Sequence, residues 1–309
     1  MHLFAGSSHP ALAAALSKEL GLPLGKLITK TFSCGERYVR FEESVRGKEV
    51  YILQTTGAHP NEDLMELFLL CQAAKLSFAT NVHVILPHMP YARQDRVAEP
   101  REPISAKLIA TLLEEAGADH VIVLELHSDQ IQGFFSVPAD GLSSRIIFAD
   151  YFRKKALPNP VVVAPDVGGA KRAKKFADTF GAPLAILHKH RPEHGKAEVL
   201  EVVGEVKGRT CILYDDIIDT AGTLVAARDT LLSRGANKEM FAAATHAVFS
   251  GPAKERLAGA GFTEVVVTDS IPLQDAEIPG LVVLPIAPLL AQVLQHIETG
   301  KSVTELYKQ

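Results

Sequence analysis

A chain of 309 residues, 47% of them hydrophobic, has enough length and apolar content for about two domains, each with its own core. A formal net charge of −4 speaks against a nucleic-acid partner. The three scattered cysteines, Cys34, Cys71 and Cys211, form neither a disulfide framework nor a zinc pattern, which points to reduced cytosol.

Met1 to Ala5 is apolar but short and has no basic leader, and no apolar run reaches membrane-spanning length. A cytoplasmic protein without a membrane partner is therefore expected. Leu3 to Ala5 reads as a strand and Pro10 to Leu20 as a helix with proline early in it. Leu27 to Phe32 and Tyr38 to Phe41 flank Ser33-Cys34-Gly35-Glu36 as a hairpin. A strand at 50–54, a helix at 61–76 and a buried strand at 82–86 follow. A polar loop at 91–103, a helix at 104–116 and a strand at 121–126 complete the first half. The second half repeats the alternation, with strands at 161–164, 184–187, 211–214, 241–246, 264–267 and 281–284. Helices lie between them, and a last one covers 288–297. This is an α/β pattern of mainly parallel sheets flanked by helices. A boundary is expected within 138–144, giving domains at 1–142 and 143–287, with 288–309 packing back on the first. Gly300-Lys301-Ser302 is no P-loop, because the first glycine would fall at Gln295 and no strand precedes it; Gly259-Ala260-Gly261 lacks the third glycine of a dinucleotide fingerprint.

The richest stretch is Thr210 to Thr223. A strand-like run ends in Asp215-Asp216 and two isoleucines, and Asp219-Thr220-Ala221-Gly222-Thr223 then opens a helical pattern with Leu224, Ala227, Leu231 and Leu232 on one face. The first N–H groups of a helix have no partner inside it, and the macrodipole adds positive charge. Thr220 and Thr223 add hydroxyls, while Asp219 orients the turn. Asp215 and Asp216 are acceptors suited to vicinal sugar hydroxyls. One loop can thus hold a sugar phosphate, diol at one end and phosphate at the other.

Other polar clusters fall where strands end, which is where open α/β sheets bind ligands. In Tyr91-Ala92-Arg93-Gln94-Asp95-Arg96 the two arginines can clamp a triphosphate. Strand alternation through Glu125-Leu126-His127 puts Glu125 and His127 on one face, with Asp129 beyond, a set suited to Mg²⁺ or a nucleotide phosphate. Asp166-Val167-Gly168-Gly169 offers a carboxylate and close backbone approach for a metal-bound substrate. Lys189 and Arg191 precede a polar lid of Glu193, His194, Gly195 and Lys196, and both can face a reacting phosphate.

These motifs together resemble the ribose-phosphate pyrophosphokinase family. The resemblance is carried by the 210–223 stretch, Tyr-Ala-Arg-Gln-Asp at 91–95, Leu-His-x-x-Gln-Ile-Gln-Gly-Phe-Phe at 126–135, Ser-Gly-Pro at 250–252 and Ser-Val-x-x-Leu at 302–306. It implies two phosphoribosyltransferase-like domains, an ATP-side one and a ribose-5-phosphate one, with the active site between them. It implies pyrophosphoryl transfer from MgATP to O1 of ribose 5-phosphate. By similarity, Phe32, Gly35, Glu36, Arg93, Gln94, Asp95, Arg96 and His127 bind ATP, and His127 and Asp166 bind Mg²⁺. Lys189 and Arg191 are catalytic. Arg191, Asp215, Asp216, Asp219, Thr220, Ala221, Gly222 and Thr223 hold ribose 5-phosphate. Ser44, Arg46, Arg101, Gln132, Ser302 and Thr304 resemble a site for inorganic phosphate, an activator, and for ADP. A homo-oligomer of dimers assembled into a hexamer is implied, since the Phe32 segment reaches a neighbouring subunit's adenine. The chain departs from the family pattern at Cys34, usually Asp, at Glu125, usually Asp, and at Ala221, usually Gly, where alanine resists positive φ. Two competing readings are a phosphoribosyltransferase that consumes PRPP and a non-catalytic regulatory subunit of the same fold.

Overall fold

A computed structural model describes residues 1–190, 199–273 and 277–307. The chain divides into two compact units, one of Met1–Ser143, Ser270–Pro272 and Pro285–Gln309, the other of Ser144–Asp269 and Leu273–Leu284.

In the first unit, β1 (His2–Ala5) leads into α1 (Pro10–Leu20). Pro10 fits the first turn, where its missing N–H costs nothing, and Gly21 closes the helix at φ 64. The hairpin β2 (Leu27–Thr31) and β3 (Arg37–Phe41) precedes β4 (Glu49–Leu53), α2 (Pro60–Leu76), β5 (Asn81–Leu86), α3 (Ser105–Ala116), β6 (His120–Leu124) and β7 (Ala139–Leu142). Among the described residues the sheet is parallel, in the order β1-β4-β5-β6-β7. One face packs Phe4, Val50, Ile52, Val82, Val84, Val121 and Val123 against Leu64, Leu67, Leu70 and Ile109 of α2 and α3. The other carries a polar row. Glu49 accepts from Asn81 and pairs with His83, His83 meets His120 at 3.1 Å, and His120 meets Asp140. Tyr51 stacks on His83 at 4.2 Å. Burial holds His83 below the ordinary imidazole range.

The second unit contains α4 (Arg145–Lys155), β8 (Pro160–Ala164), α5 (Ala170–Phe180), β9 (Leu184–His190), β10 (Val199–Val203), β11 (Thr210–Ile218), α6 (Gly222–Ser233), β12 (Met240–Ala247), α7 (Ala253–Ala260), β13 (Glu264–Thr268) and β14 (Leu281–Leu284). Its sheet runs β10-β9-β8-β11-β12-β13-β14, and β10 is antiparallel to β9 while the other described pairings are parallel. The apolar runs of β8, β11 and β12 are buried on both faces, as a doubly covered sheet requires. One core holds Val161, Leu213, Leu224 and Leu231. The other is aromatic, with Phe148, Phe152, Phe176, Tyr214 and Phe241. Finally α8 (Ala287–Glu298) returns to the first unit and packs on α1.

Three local expectations change. The strand expected to reach 126 stops at Leu124, because Glu125 turns to φ 48, so strand alternation does not place Glu125 and His127 on one face. The acidic pair expected in a loop lies inside β11, where Asp215 pairs with Ala244 and Ile217 with His246. Two strands absent from the sequence reading, β7 and β10, and two short 3₁₀ helices, at Asp129–Phe134 and Val303–Tyr307, complete the described elements.

Candidate active site

The second unit presents its polar residues at the C-terminal ends of β8 and β11. After β11 the chain turns into α6 through Asp219, Thr220 and Ala221. The turn is braced from the β12–α7 loop: the Ile218 carbonyl accepts from Val248 and Phe249, the Asp219 carbonyl accepts from Ser250 at 3.1 Å, and Ser250 Oγ donates to Asp219 Oδ1. Arg256 Nη1 donates to the Thr220 carbonyl at 3.0 Å. Ala221 sits at φ 60, buried, immediately before the first turn of α6. Gly222 leaves room for Arg256, since a Cβ there would lie 3.3 Å from Nη1. Thr220 and Thr223 are exposed beside the helix N-terminus. Replacing Ser250 with alanine removes a donor to a carboxylate. It is expected to cost about 1–2 kcal/mol, read as a fall of several degrees in thermal midpoint; an unchanged midpoint would show that Ser250 does not brace the turn.

The Asp215–Asp216 pair is joined by a residue that the sequence reading missed. Arg172, one turn into α5, places Nη1 2.9 Å from Asp215 Oδ1 and 2.9 Å from Asp216 Oδ1. The Asp216 N–H also donates to Asp215 Oδ1. Burial pushes the Asp215 carboxyl well above the usual carboxylate range, the Asp216 charge adds to this, and Arg172 opposes it. A fifth of the Asp215 side chain remains accessible, 21%, so its carboxyl is deep yet reachable.

Asp166 follows β8 by two residues and accepts from the Gly169 N–H at 2.9 Å. A Cβ placed on Gly169 would lie 3.7 Å from Oδ1 of both Asp166 and Asp215, so the two carboxyl groups flank the N-terminus of α5. No group of three or more His, Cys, Asp or Glu side chains that could hold a metal occurs among the described residues. Mg²⁺ is commonly held by one or two carboxylates together with substrate oxygens. Asp166 with Asp215 nearby fits that donor set.

Lys189 lies in β9, paired with Leu200 of β10. Arg191 and the lid residues Glu193, His194, Gly195 and Lys196 lie outside the described residues.

In the first unit, Phe32, Cys34, Gly35 and Glu36 form the exposed tip of the β2–β3 hairpin. The Gly35 N–H donates to the Phe32 carbonyl, and Gly35 has φ 93, which suits glycine. Arg37, opposite Thr31 at the last pair before the tip, is tied to buried Glu66. Arg93, Asp95 and Arg96 follow β5. Gln94 closes the N-terminus of α3, accepting from Ser105 Oγ on Oε1 and from Ala106 N–H on its carbonyl. His127 follows β6. Arg46, its guanidinium 4.4 Å over the Phe78 ring, and Ser44 precede β4, whereas Arg101 and Gln132 follow β5 and β6. Gln132 donates from Nε2 to the carbonyl of Ala139, where β7 begins. Ser302 and Thr304 follow α8.

The family model for the "N-terminal domain of ribose phosphate pyrophosphokinase" matches residues 1–117, and that for the "Phosphoribosyl synthetase-associated domain" matches 194–308. A ribose-phosphate pyrophosphokinase of Helicobacter hepaticus is 47% identical over 305 residues, spanning 99% of this chain and 98% of its own. One from Bacillus caldolyticus is 47% identical over 308 residues, spanning 99% and 98%. The crystal structure of phosphoribosylpyrophosphate synthetase from Mycobacterium smegmatis superposes with a TM-score of 0.91 at 44% identity, covering 97% of this chain and 99% of that one. Full-length identity at this level, on the same fold, makes the chain a member of the ribose-phosphate pyrophosphokinase family.

Proposed function

We propose that the chain transfers the pyrophosphoryl group of MgATP to O1 of ribose 5-phosphate, giving 5-phosphoribosyl 1-pyrophosphate and AMP. The observation that carries the reading is the β11–α6 segment of the second unit. Asp215 and Asp216 accept from the ribose diol, and the turn at 219–223 receives the 5-phosphate on helix N–H groups and threonine hydroxyls. Binding at two ends fixes the sugar, so O1 is presented in one orientation. O1 attacks the β-phosphorus in line, and the bond to the bridging oxygen of AMP breaks. Lys189 and Arg191 supply positive charge where the β-phosphoryl oxygens gain negative charge. Phe32, Gly35, Glu36, Arg93, Gln94, Asp95, Arg96 and His127 bind the nucleotide. Asp166, with His127 on the ATP side, would hold Mg²⁺, which when bound screens phosphate charge and polarises the transferring group.

The deciding experiment incubates the protein with MgATP and ribose 5-phosphate and follows AMP. Stoichiometric AMP and phosphoribosyl pyrophosphate are expected. No AMP with the sugar present, but nucleotide formed from supplied phosphoribosyl pyrophosphate and a nucleobase, would replace this reading with that of a phosphoribosyltransferase. We also propose that Ser44 and Arg46 of one copy meet Arg101, Gln132, Ser302 and Thr304 of another in a homo-oligomer, dimers built into a hexamer, to form a site for inorganic phosphate or ADP. Arginines with hydroxyl side chains are what a phosphate dianion needs, which supports the reading. Phosphate added to phosphate-free enzyme is expected to raise activity, and a flat titration would remove the site.

A further inference from the structure

We propose that Arg172 is a positioning and specificity-determining residue, which sets the Asp215–Asp216 carboxylates in the geometry that recognises a vicinal diol. The inference rests on the reading of these two carboxylates as the ribose site.

One nitrogen of the guanidinium, Nη1, lies 2.9 Å from Oδ1 of each carboxylate. The Asp216 N–H adds a second bond to Asp215 Oδ1, at 2.9 Å. Both bonds to Asp215 therefore fall on the same oxygen. Two donors on one oxygen restrict how the carboxyl group can turn. The Asp216 side chain is 5% exposed and that of Arg172 13% exposed, so neither rotates freely into water.

A surface ion pair would not have this form. Removing three charged groups from solvent is costly, and an apolar trio of similar volume is often at least as stable. The cluster is thus poorly explained as a stabilising device. It is well explained as a preorganised acceptor site, in which one cation holds two acidic side chains side by side before the sugar arrives. Arg172 also comes from α5, which opens directly after Gly169, whose N–H donates to Asp166. The helix that carries the cation is therefore registered to the same corner by its own N-terminus.

A site built to bond a hydroxyl rejects a substrate that lacks it, because its buried polar groups are left without partners. The test compares ribose 5-phosphate with 2-deoxyribose 5-phosphate in the parent, in Arg172→Lys and in Arg172→Met. Two readouts are used: kcat/KM with MgATP, and calorimetric affinity of each sugar in Mg²⁺ without ATP. The parent is expected to prefer the ribose compound strongly. Arg172→Met is expected to lower that preference by about tenfold or more, corresponding to one lost charge-assisted contact, with KM for MgATP unchanged. Arg172→Lys keeps the charge and is expected to retain most of the preference. A purely structural arginine would weaken both sugars equally or only lower the thermal midpoint, and an unchanged preference ratio in Arg172→Met overturns the inference. Should Arg172→Met fail to fold, Arg172→Gln, which also lacks the charge, replaces it, and an unchanged preference ratio in that variant overturns the inference. Absence of turnover in the parent would end the proposed activity, while the calorimetric ratio would still decide the role of Arg172.

Discussion

Replacing Lys189 with alanine is expected to lower kcat by roughly 10²–10³, the usual cost of losing a donor aimed at transition-state charge. The KM for ribose 5-phosphate should change little, because the proposed diol and phosphate contacts lie on β11 and the turn into α6. Lys189 stands near the end of β9, in register with Leu200, with β8 on the other side of the strand. Rapid-quench measurement of AMP formation separates chemistry from product release. A variant that forms AMP at the parental rate would remove Lys189 from the mechanism.

The largest expected effect on stability is from Phe152→Ala. Phe152 of α4 is fully buried. Its ring lies 5.3 Å from Tyr151, 5.6 Å from Phe241, and 6.3 Å from both Phe176 and Phe180. Rings on α4, α5 and β12 thus meet around it. Deleting it opens a cavity lined by stiff aromatic groups that collapse poorly, at a cost of about 3–5 kcal/mol. A drop of the order of 10 °C in thermal midpoint should follow. A change of less than 1 °C would mean that the cluster repacks and that α4 is not fastened through this ring.

Periodicity reveals most of the helices and the buried parallel strands, because a strand covered on both faces must be a short apolar run and the helices between must be amphipathic. It fails where tertiary pairing overrides local pattern. Ala139–Leu142 holds an aspartate and a glycine and becomes β7 only because Val121 to Leu124 offers an edge. Val199–Val203 becomes β10 by folding back on β9, which an alternating βα reading does not anticipate. β11 runs on through Asp215 and Asp216 because β12 continues to pair with it. The site divides in the same way. The sugar-phosphate stretch is contiguous, so its chemistry can be read along one line of sequence. Arg172 is not legible there, because its partners lie 43 and 44 residues further on. The strain expected at Ala221 was local, a matter of one residue's φ, and the φ of 60 bears it out.

The order of the chain has a consequence for how the protein is made. The first unit takes its last helix, α8, from Pro285–Gln309, after the whole second unit has been synthesised. Ribosomes add on the order of 10 residues per second, so residues 1–143 wait roughly ten seconds or more for a helix whose Leu289, Leu290, Val293 and Leu294 are buried in the finished fold. During that interval the α1 side of the nascent sheet lacks its cover. The second unit, nearly continuous at Ser144–Asp269, can close first even though it is translated later. Chaperones should therefore engage the growing chain at its early segment, and a message truncated before codon 285 should yield a sound second unit attached to a first unit prone to aggregation.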